Sequence, residues 1–269
     1  MAGEIHSTAI VDSKAQLGED VRIGAYSIIG PSVKLGDRTW VGPHVVIEGI
    51  TTIGEESEIF QFASLGSKPQ DLKFQGEPST LEIGARNKIR EYVTIQPGTR
   101  HGHMRTVVGD NNLFMANSHI GHDCAIGSNN VFANSAGLAG HVTIHNNVIL
   151  GGMVGIHQFC RIGDFVIISA GSMVGGDIPP GCIGQGDRCH LRGVNVIGLE
   201  RGGFSASEIA GVRKAYRLLF GTAGHLKKKI VEFPQDLRAQ LFVGRMLAFI
   251  ESSERGVCFP AKTLSDSEK

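Results

Sequence analysis

The sequence lacks an excess of charge of either sign. Its 26 Lys and Arg residues balance 26 Asp and Glu residues, so the formal net charge is zero. A chain without net charge has no general basic field for nucleic acid or for an anionic membrane surface. An anionic ligand must therefore meet a local cluster of cations.

Long apolar runs and closely paired cysteines are also missing. No apolar stretch approaches the roughly 18 residues of a membrane span, and no cleavable signal opens the chain. No C-x-x-C pair occurs among the five cysteines, which are Cys124, Cys160, Cys182, Cys189 and Cys258. These absences predict a reduced, cytoplasmic protein that neither binds nucleic acid nor inserts stably into a membrane.

Aromatic residues are scarce, whereas glycine is abundant. Phe, Trp and Tyr make up 6% of the chain, and 37 residues are glycine. Glycine at about twice its usual frequency suggests many tight corners, and few aromatics suggest a core of medium-sized aliphatic side chains. This composition is typical of repeat proteins.

Aliphatic residues recur at every sixth position through much of the chain. A first series runs without a break from Ile5 to Leu65. The period resumes at residue 83, and a second long series runs from Val108 to Val174, with phenylalanine twice in place of the aliphatic residue. A repeat of this length decides the fold class before any single residue is considered.

A six-residue period fits neither a helix of 3.6 residues per turn nor a simple alternating strand. It fits a three-sided coil in which each short face uses one hexad, so that one coil contains about 18 residues. The periodic side chain points inward, and successive coils pair as parallel strands at a spacing of roughly 4.8 Å. The sequence therefore predicts a mainly β fold, a parallel β-helix of hexapeptide repeats.

Two interruptions of the period are predicted to carry binding groups. They lie near residues 66–82 and 96–106, and the first contains Gln70, Asp71 and Lys73. Excursions from a regular solenoid are where ligand contacts tend to concentrate. The charged residues of the first excursion are equally compatible with an ordinary solvated loop.

The period fades after residue 180, and helical signals follow. Ser205 and Glu208 have the spacing of a capping box. A second amphipathic stretch over 235–252 places four apolar residues near one face, namely Leu237, Leu241, Leu247 and Ile250. We therefore predict a hexapeptide-repeat β-helix domain over 1–192 and an α-helical C-terminal domain over 193–269.

The 18-residue coil also predicts which residues share a column on the rod. One column contains His122, Gly140 and Gln158. The neighbouring column contains Asp123, His141 and Phe159, and two further histidines lie beside these columns, His119 and His157. Several imidazoles are thus expected within a few coils, next to glycines that leave the backbone N–H accessible.

This arrangement suits acyl transfer. Moving an acyl group from a thioester to a hydroxyl or an amine needs a base, typically worth roughly 10² to 10⁴ in rate, and a donor for the developing oxyanion. The His122 imidazole and the Gly140 N–H are the candidates for these two roles. Asp123 is a candidate to orient His122, although successive strand residues point to opposite sides, so that this contact requires a corner or a bulge.

Four short stretches resemble one known family. They are residues 70–78, 117–124, 151–159 and 193–195. These stretches are similar to the UDP-N-acetylglucosamine O-acyltransferases of lipid A biosynthesis, and the resemblance extends over about residues 5–220. It implies a left-handed β-helix and a homotrimer with active sites between subunits. It further implies that an acyl carrier protein thioester donates a 3-hydroxy fatty acyl group to the 3-position of a UDP-amino sugar, without a metal or another cofactor.

The resemblance also implies roles for individual residues. His122 matches the family's general base, and the backbone N–H of Gly140 matches its oxyanion donor. Contacts with the sugar, the diphosphate or the acyl group are implied for Gln70, Asp71, Lys73, His119, His141, His157 and Gln158. Contacts with the nucleotide are implied for Asn195 and Arg201.

Some positions depart from the family pattern. Ile197 stands where an acidic residue is common, and Gly202 stands where a second basic residue is expected, so contacts with the nucleotide are expected to be rearranged. By rough alignment, Ala170, Met173 and Arg188 are candidates for the residues that limit the length of the acyl chain.

Three other interpretations remain open from the sequence. A metal-dependent β-helix hydratase also uses histidines between rods, but the histidine spacing here differs from such a site. A related N-acyltransferase, or a variant that acts on a 3-amino sugar nucleotide, uses the same chemistry on nitrogen. A scaffold without catalytic activity would have no reason to cluster imidazoles.

Overall fold

Short parallel strands build most of the molecule. The computed structural model describes residues 3–221 and 224–261. The first thirteen strands are β1 (Ile10–Val11), β2 (Gln16–Leu17), β3 (Arg22–Ile23), β4 (Ile28–Ile29), β5 (Lys34–Leu35), β6 (Trp40–Val41), β7 (Val46–Ile47), β8 (Ile50–Ile53), β9 (Glu58–Ile59), β10 (Ser64–Leu65), β11 (Thr80–Ile83), β12 (Lys88–Ile89) and β13 (Thr94–Ile95). They are followed by β14 (Arg105–Val108), β15 (Leu113–Phe114), β16 (His119–Ile120), β17 (Ala125–Ile126), β18 (Val131–Phe132), β19 (Gly137–Leu138), β20 (Thr143–Ile144), β21 (Ile149–Leu150), β22 (Gly155–Ile156), β23 (Arg161–Ile162), β24 (Ile167–Ile168), β25 (Met173–Val174), β26 (Cys182–Gln185) and β27 (His190–Val194).

Every third strand joins the same sheet, so the chain winds around three faces. The first sheet runs from β1 to β25, the second from β2 to β23, and the third from β3 through β24 to the antiparallel hairpin of β26 and β27. His119 pairs with Gly137, and Gly137 pairs with Gly155, which confirms the 18-residue coil in this part of the rod. The fold is the predicted left-handed parallel β-helix.

The periodic apolar residues form the core of the rod. All of them from Ile23 to Val174 are buried, including Phe114 and Phe132, whose rings pack against each other. Ile5, in the first described coil, is 48% exposed. The hexad pattern therefore predicted the inward-facing residue of nearly every strand.

Residues in the left-handed backbone region turn the chain at the corners. Nineteen non-glycine residues of the described part of the chain have φ between 55° and 66°, and from Asn111 to Phe165 they recur every six residues, which is three times in each coil. Asp123, His141 and Phe159 form one such corner column, with φ values of 59°, 63° and 66°. Their side chains therefore project from a corner and not from the flat face of a strand, which places them beside the residues that precede them.

Five helices follow the rod in the described part of the chain. They are α1 (Val196–Arg201), α2 (Ala206–Phe220), α3 (Leu226–Val231), α4 (Gln235–Arg238) and α5 (Leu241–Glu251). The predicted capping box is confirmed, since Ser205 and Glu208 cap α2 reciprocally. The predicted boundary between residues 192 and 193 falls within β27. No helix among the described residues is long and apolar enough to cross a membrane.

One prediction about the helices is wrong. The stretch 235–252 is not a single amphipathic helix, because it breaks after Arg238 and restarts at Leu241. The break resets the helical phase, so Leu241 is 72% exposed, whereas Phe242 and Met246 are buried in its place.

A C-terminal segment returns to the last coils of the rod. We call residues 252–260 the strap. Val257 pairs in parallel with Asp177, and Pro260 pairs in parallel with Leu191. The buried Asp177 carboxylate also accepts a hydrogen bond of 2.8 Å from the Ser253 hydroxyl. These contacts fix the strap beside the groove described below.

Candidate active site

His122 and Asp123 form a hydrogen-bonded pair at a corner of the rod. The distance from His122 Nδ1 to Asp123 Oδ2 is 2.8 Å, and the Asp123 side chain is inaccessible to solvent. The contact is possible because Asp123 lies in the left-handed region, which is the corner that the sequence argument required. If Nδ1 carries the proton, Nε2 is a free acceptor.

The second excursion surrounds the Asp123 carboxylate with hydrogen-bond donors. The Thr99 hydroxyl donates to Oδ2 at 2.7 Å, and the Thr99 and His103 backbone N–H groups donate at 3.1 and 2.8 Å. Burial by itself raises the pKa of Asp123, but these bonds and the bond from His122 together lower that pKa to about 2. Asp123 is therefore a carboxylate at any pH near neutrality.

Gly140 lies directly against the His122 imidazole. A Cβ atom at residue 140 would lie 2.5 Å from His122 Cε1 and 2.6 Å from Nε2, which is too close for any real contact. Only glycine leaves room for the ring in this position. Among the described residues, no backbone carbonyl accepts a hydrogen bond from the Gly140 N–H.

Other rings extend the cluster around His122. The His141 ring meets the His122 ring edge-on, with centroids 5.0 Å apart, and it stacks on Phe159 at 4.5 Å. His119 Nδ1 lies 2.7 Å from the Thr94 hydroxyl. Burial lowers the pKa of both His119 and His141, so these imidazoles stay neutral at a lower pH than usual and serve as neutral hydrogen-bonding groups.

His157 and Gln158 lie one coil beyond this cluster and are exposed. The Arg255 guanidinium of the strap donates to His157 Nδ1 at 2.9 Å and to the Gly175 carbonyl at 2.8 Å. With its Nδ1 engaged as an acceptor, His157 presents Nε2–H to a ligand.

A groove of about 730 Å³ runs from this region toward the last coils. Its floor follows the column of Gly137, Gly155 and Met173, and the Met173 sulfur lies over Gly155. Arg188 lines the same groove, with 187–190 on one side and 255–258 of the strap on the other. Ala170, whose backbone packs next to Gly151, is not among the described residues that line it.

The remaining predicted residues lie in the first excursion and at the end of the rod. Gln70 and Lys73 are exposed in the first excursion, whereas Asp71 is close enough for its charge to raise the pKa of His141 slightly. The buried Asn195 side chain caps α1 and donates to the Phe165 carbonyl at 2.8 Å. Arg201 is exposed in the last turn of α1, at the C-terminal end of the rod.

Sequence reasoning missed three residues of this site. Thr99 and His103 hold Asp123, and Arg255 holds His157. The interruption at 96–106 was a signal for the first two, although nothing in it showed which residue would meet the carboxylate. No periodic signal links residue 255 to residue 157.

His122, Asp123 and His141 are also the residues that could hold a metal ion, since one ligand atom from each lies within 4.8 Å of the others. However, the Asp123 carboxylate already accepts hydrogen bonds from His122, Thr99 and His103. Binding a cation through Asp123 would displace His122 Nδ1 from it. The donor set therefore fits an oriented base better than a metal centre.

Comparisons with known proteins agree with this geometry. Residues 177–258 match the family model described as UDP-N-acetylglucosamine O-acyltransferase, domain 2, and residues 105–140 match the bacterial transferase hexapeptide repeats. The acyl-[acyl-carrier-protein]–UDP-N-acetylglucosamine O-acyltransferase of Aliarcobacter butzleri is 49% identical to the chain, and the match covers 96% of this chain and 99% of the relative. The enzyme of the same name from Herminiimonas arsenicoxydans is 48% identical, and the match covers 94% of this chain and 98% of the relative. The solved UDP-N-acetylglucosamine acyltransferase of Francisella novicida is 35% identical, with a TM-score of 0.93 over 98% of this chain and 96% of that one.

Proposed function

The chain belongs to the UDP-N-acetylglucosamine O-acyltransferases, and we propose that it transfers a fatty acyl group from acyl carrier protein to the 3-hydroxyl of UDP-N-acetylglucosamine, the first step of lipid A biosynthesis. The observation that carries this proposal is the His122–Asp123 pair packed against Gly140, in a rod that also carries an apolar groove lined by Gly137 and His157. It combines a base, an oxyanion donor and a channel for an alkyl chain. The predicted cytoplasmic location is consistent with a carrier-protein donor and stays a prediction.

His122 acts as the general base in the proposed mechanism. Its Nδ1–H is held by Asp123, so Nε2 takes the proton from the sugar 3-hydroxyl as that oxygen attacks the thioester carbonyl. The tetrahedral intermediate then collapses, the carbon–sulfur bond breaks, and the proton passes from Nε2 to the departing thiolate of the carrier protein. Asp123 stays ionised throughout, and its charge stabilises the imidazolium that forms between the two steps.

The Gly140 N–H is the proposed donor to the oxyanion. It lies next to the His122 imidazole, so a carbonyl positioned for attack near Nε2 is also near this N–H. Removing one such donor typically costs roughly 10² to 10³ in rate. The donor is a backbone group, so the feature of the side chain that matters is the absence of a Cβ.

The apolar groove is the proposed site for the acyl chain. From His119 the column rises through Gly137 and Gly155 to Met173, which is three coil spacings, or roughly 14 Å. Met173 and Arg188 both line the groove and are therefore the residues that we propose to limit the chain length. Ala170 remains a candidate by alignment alone.

We propose that sugar and diphosphate contacts come from the first excursion and the imidazole cluster, with Gln70, Asp71, Lys73, His119, His141, His157 and Gln158 as the contacting residues. Asn195 and Arg201 lie at the end of the rod, at least three coil spacings from His122, and this separation suggests that they reach the nucleotide from a neighbouring subunit. The Asn195 amide is already engaged within its own chain, so Arg201 is the stronger candidate.

A homotrimer is the assembly that we propose, and an exposed aromatic ladder supports it. Tyr26, His44, Phe62 and Tyr92 stack along one corner with ring centroids 5.0 to 5.3 Å apart. The adjoining face of the rod also exposes apolar side chains, such as Ile28. Contiguous apolar surface of this kind usually marks an interface. Light scattering after gel filtration should give three times the chain mass of 28.7 kDa.

The test is an assay of purified protein with a panel of acyl carrier protein thioesters that differ in chain length and in 3-hydroxylation. UDP-N-acetylglucosamine and its 3-amino analogue serve as acceptors, and mass spectrometry detects the acylated sugar nucleotide. Transfer to the 3-hydroxyl sugar from one preferred donor supports the proposal. Transfer to the amino sugar alone would assign N-acylation instead, and transfer to neither would contradict the proposed function.

A further inference from the structure

Two cysteines face each other where the strap joins the rod. Leu191 of β27 pairs in parallel with Pro260, and its N–H donates to the Phe259 carbonyl at 3.0 Å. Cys189 lies in the turn between β26 and β27, two residues before Leu191, and Cys258 lies in the strap, two residues before Pro260. The pairing of Leu191 with Pro260 therefore brings the two cysteines close to each other.

The surroundings of the two side chains agree with this placement. Both residues line the apolar groove. The interaction between the two thiols lowers the pKa of Cys189 and raises the pKa of Cys258. Cys189 is therefore the better nucleophile of the two, and Cys258 is placed to resolve a disulfide formed on it.

The other three cysteines have different surroundings. Cys124, Cys160 and Cys182 are at most 1% exposed, whereas Cys189 is 7% exposed and Cys258 is half-buried. Burial raises the pKa of Cys124 to about 12 and that of Cys160 to about 11. Thiols of this kind remain protonated and react slowly, whereas the pKa of Cys189 is lowered. Cys189 is thus the thiol that starts the exchange.

We propose that Cys189 and Cys258 are a modification site, at which exchange with a small-molecule disulfide of the glutathione type produces an intramolecular disulfide in the wall of the groove. The Cys189 thiolate attacks one sulfur of oxidised glutathione and releases one glutathione thiolate. The Cys258 thiolate then attacks the Cys189 sulfur and releases the second glutathione. The two protein thiols lose two protons and two electrons, and the electrons reduce oxidised glutathione to two molecules of glutathione.

The disulfide joins the strap to the hairpin that closes the rod. The strap also carries Arg255, which contacts His157, and it contributes Gly256 and Val257 to the groove. Linking Cys258 to Cys189 therefore fixes one wall of the groove. On the proposed function, which this consequence requires, oxidation slows turnover of acyl donors whose chain extends to this wall, and reduction with dithiothreitol restores the rate.

The experiment is thiol counting on the full-length protein. The reduced protein is incubated with oxidised glutathione and then titrated in denaturant, and its peptides are mapped by mass spectrometry without reduction. The titre should fall from five thiols to three, and the cross-linked peptide should contain residues 189 and 258. In C258S the reaction should stop at a glutathione adduct on Cys189. In the matched control C182S the cross-link should form as in the unaltered chain.

Two results would overturn the proposal, namely an unchanged titre of five thiols after oxidation, or a cross-link that joins Cys160 to either partner. The thiol count does not depend on enzymatic activity, so it tests the modification site even if the proposed acyl transfer fails. If the disulfide forms and acyl transfer occurs at the same rate for every donor length, the site stands and only its effect on the groove is refuted.

Discussion

Replacing Gly140 by alanine should damage catalysis by moving His122. The added Cβ would lie 2.5 Å from His122 Cε1 and 2.6 Å from Nε2. Ordinary carbon contacts begin near 3.5 Å, so the imidazole must retreat by about 1 Å. The 2.8 Å bond to Asp123 then stretches or breaks, because the carboxylate is fixed by Thr99 and His103 and does not follow.

The expected loss is large for such a small change. A misplacement of about 1 Å in a catalytic group can lower the rate roughly 10²-fold, so we expect kcat to fall by about that factor. The backbone of Gly140 is not in the left-handed region, and alanine adds no strain of its own there. Overpacking at the ring should lower the free energy of unfolding by about 1–3 kcal/mol.

The assay is steady-state transfer from the preferred acyl donor, together with thermal unfolding. Gly152→Ala is the matched control, because the atom nearest to its added Cβ is the Asn134 carbonyl oxygen at 3.4 Å. This control should keep the rate of the unaltered enzyme. A Gly140→Ala enzyme with unchanged kcat would refute the reasoning, since it would mean that the position of the His122 ring does not limit the reaction.

Three further predictions follow from the same site. Thr99→Val removes the hydroxyl that donates to Asp123 Oδ2, so it should lower the free energy of unfolding by about 1.5–3 kcal/mol and should also lower kcat. Thr99→Ser keeps a hydroxyl and should restore both quantities. Equal kcat in the two variants would contradict a positioning role for Thr99. The pKa of Asp123 is lowered to about 2, against 3.8 in the unfolded chain, and this difference should contribute about 2 kcal/mol of stability above pH 4. The contribution is lost as the pH falls toward 2. Urea unfolding at a series of pH values should show this loss for the unaltered chain and not for Asp123→Asn. Met173→Ala should lengthen the groove and shift the preferred donor in the thioester panel to a longer acyl chain, and an unchanged preference would remove Met173 as a limit on chain length.

The core of the rod was predictable because every hexad places its periodic side chain in the same buried environment. An aliphatic residue at every sixth position can be buried in only one kind of coil, so the spacing from Ile23 to Val174 identified the inward-facing residues and the columns. The column of His122 and Gly140 followed from that spacing and was found in the structure as a direct contact.

The parts that break the period were not predictable in the same way. The Thr99 contact to Asp123 depends on the path of an irregular excursion, which no repeat constrains. The contact between Arg255 and His157 spans 98 residues and depends on how the strap docks. Leu241 was placed on the wrong face because a helix break resets the phase, and periodicity detects a break poorly in a short helix.

The most direct test of the central claim is kcat for His122→Ala with UDP-N-acetylglucosamine and the preferred acyl donor, measured on protein whose circular dichroism spectrum matches that of the unaltered chain. General-base catalysis by His122 predicts that kcat falls by roughly 10² to 10⁴ while the fold is retained, because the side chain is partly exposed and lies outside the core. A folded variant that retains the original kcat would contradict the assignment of His122 as the base.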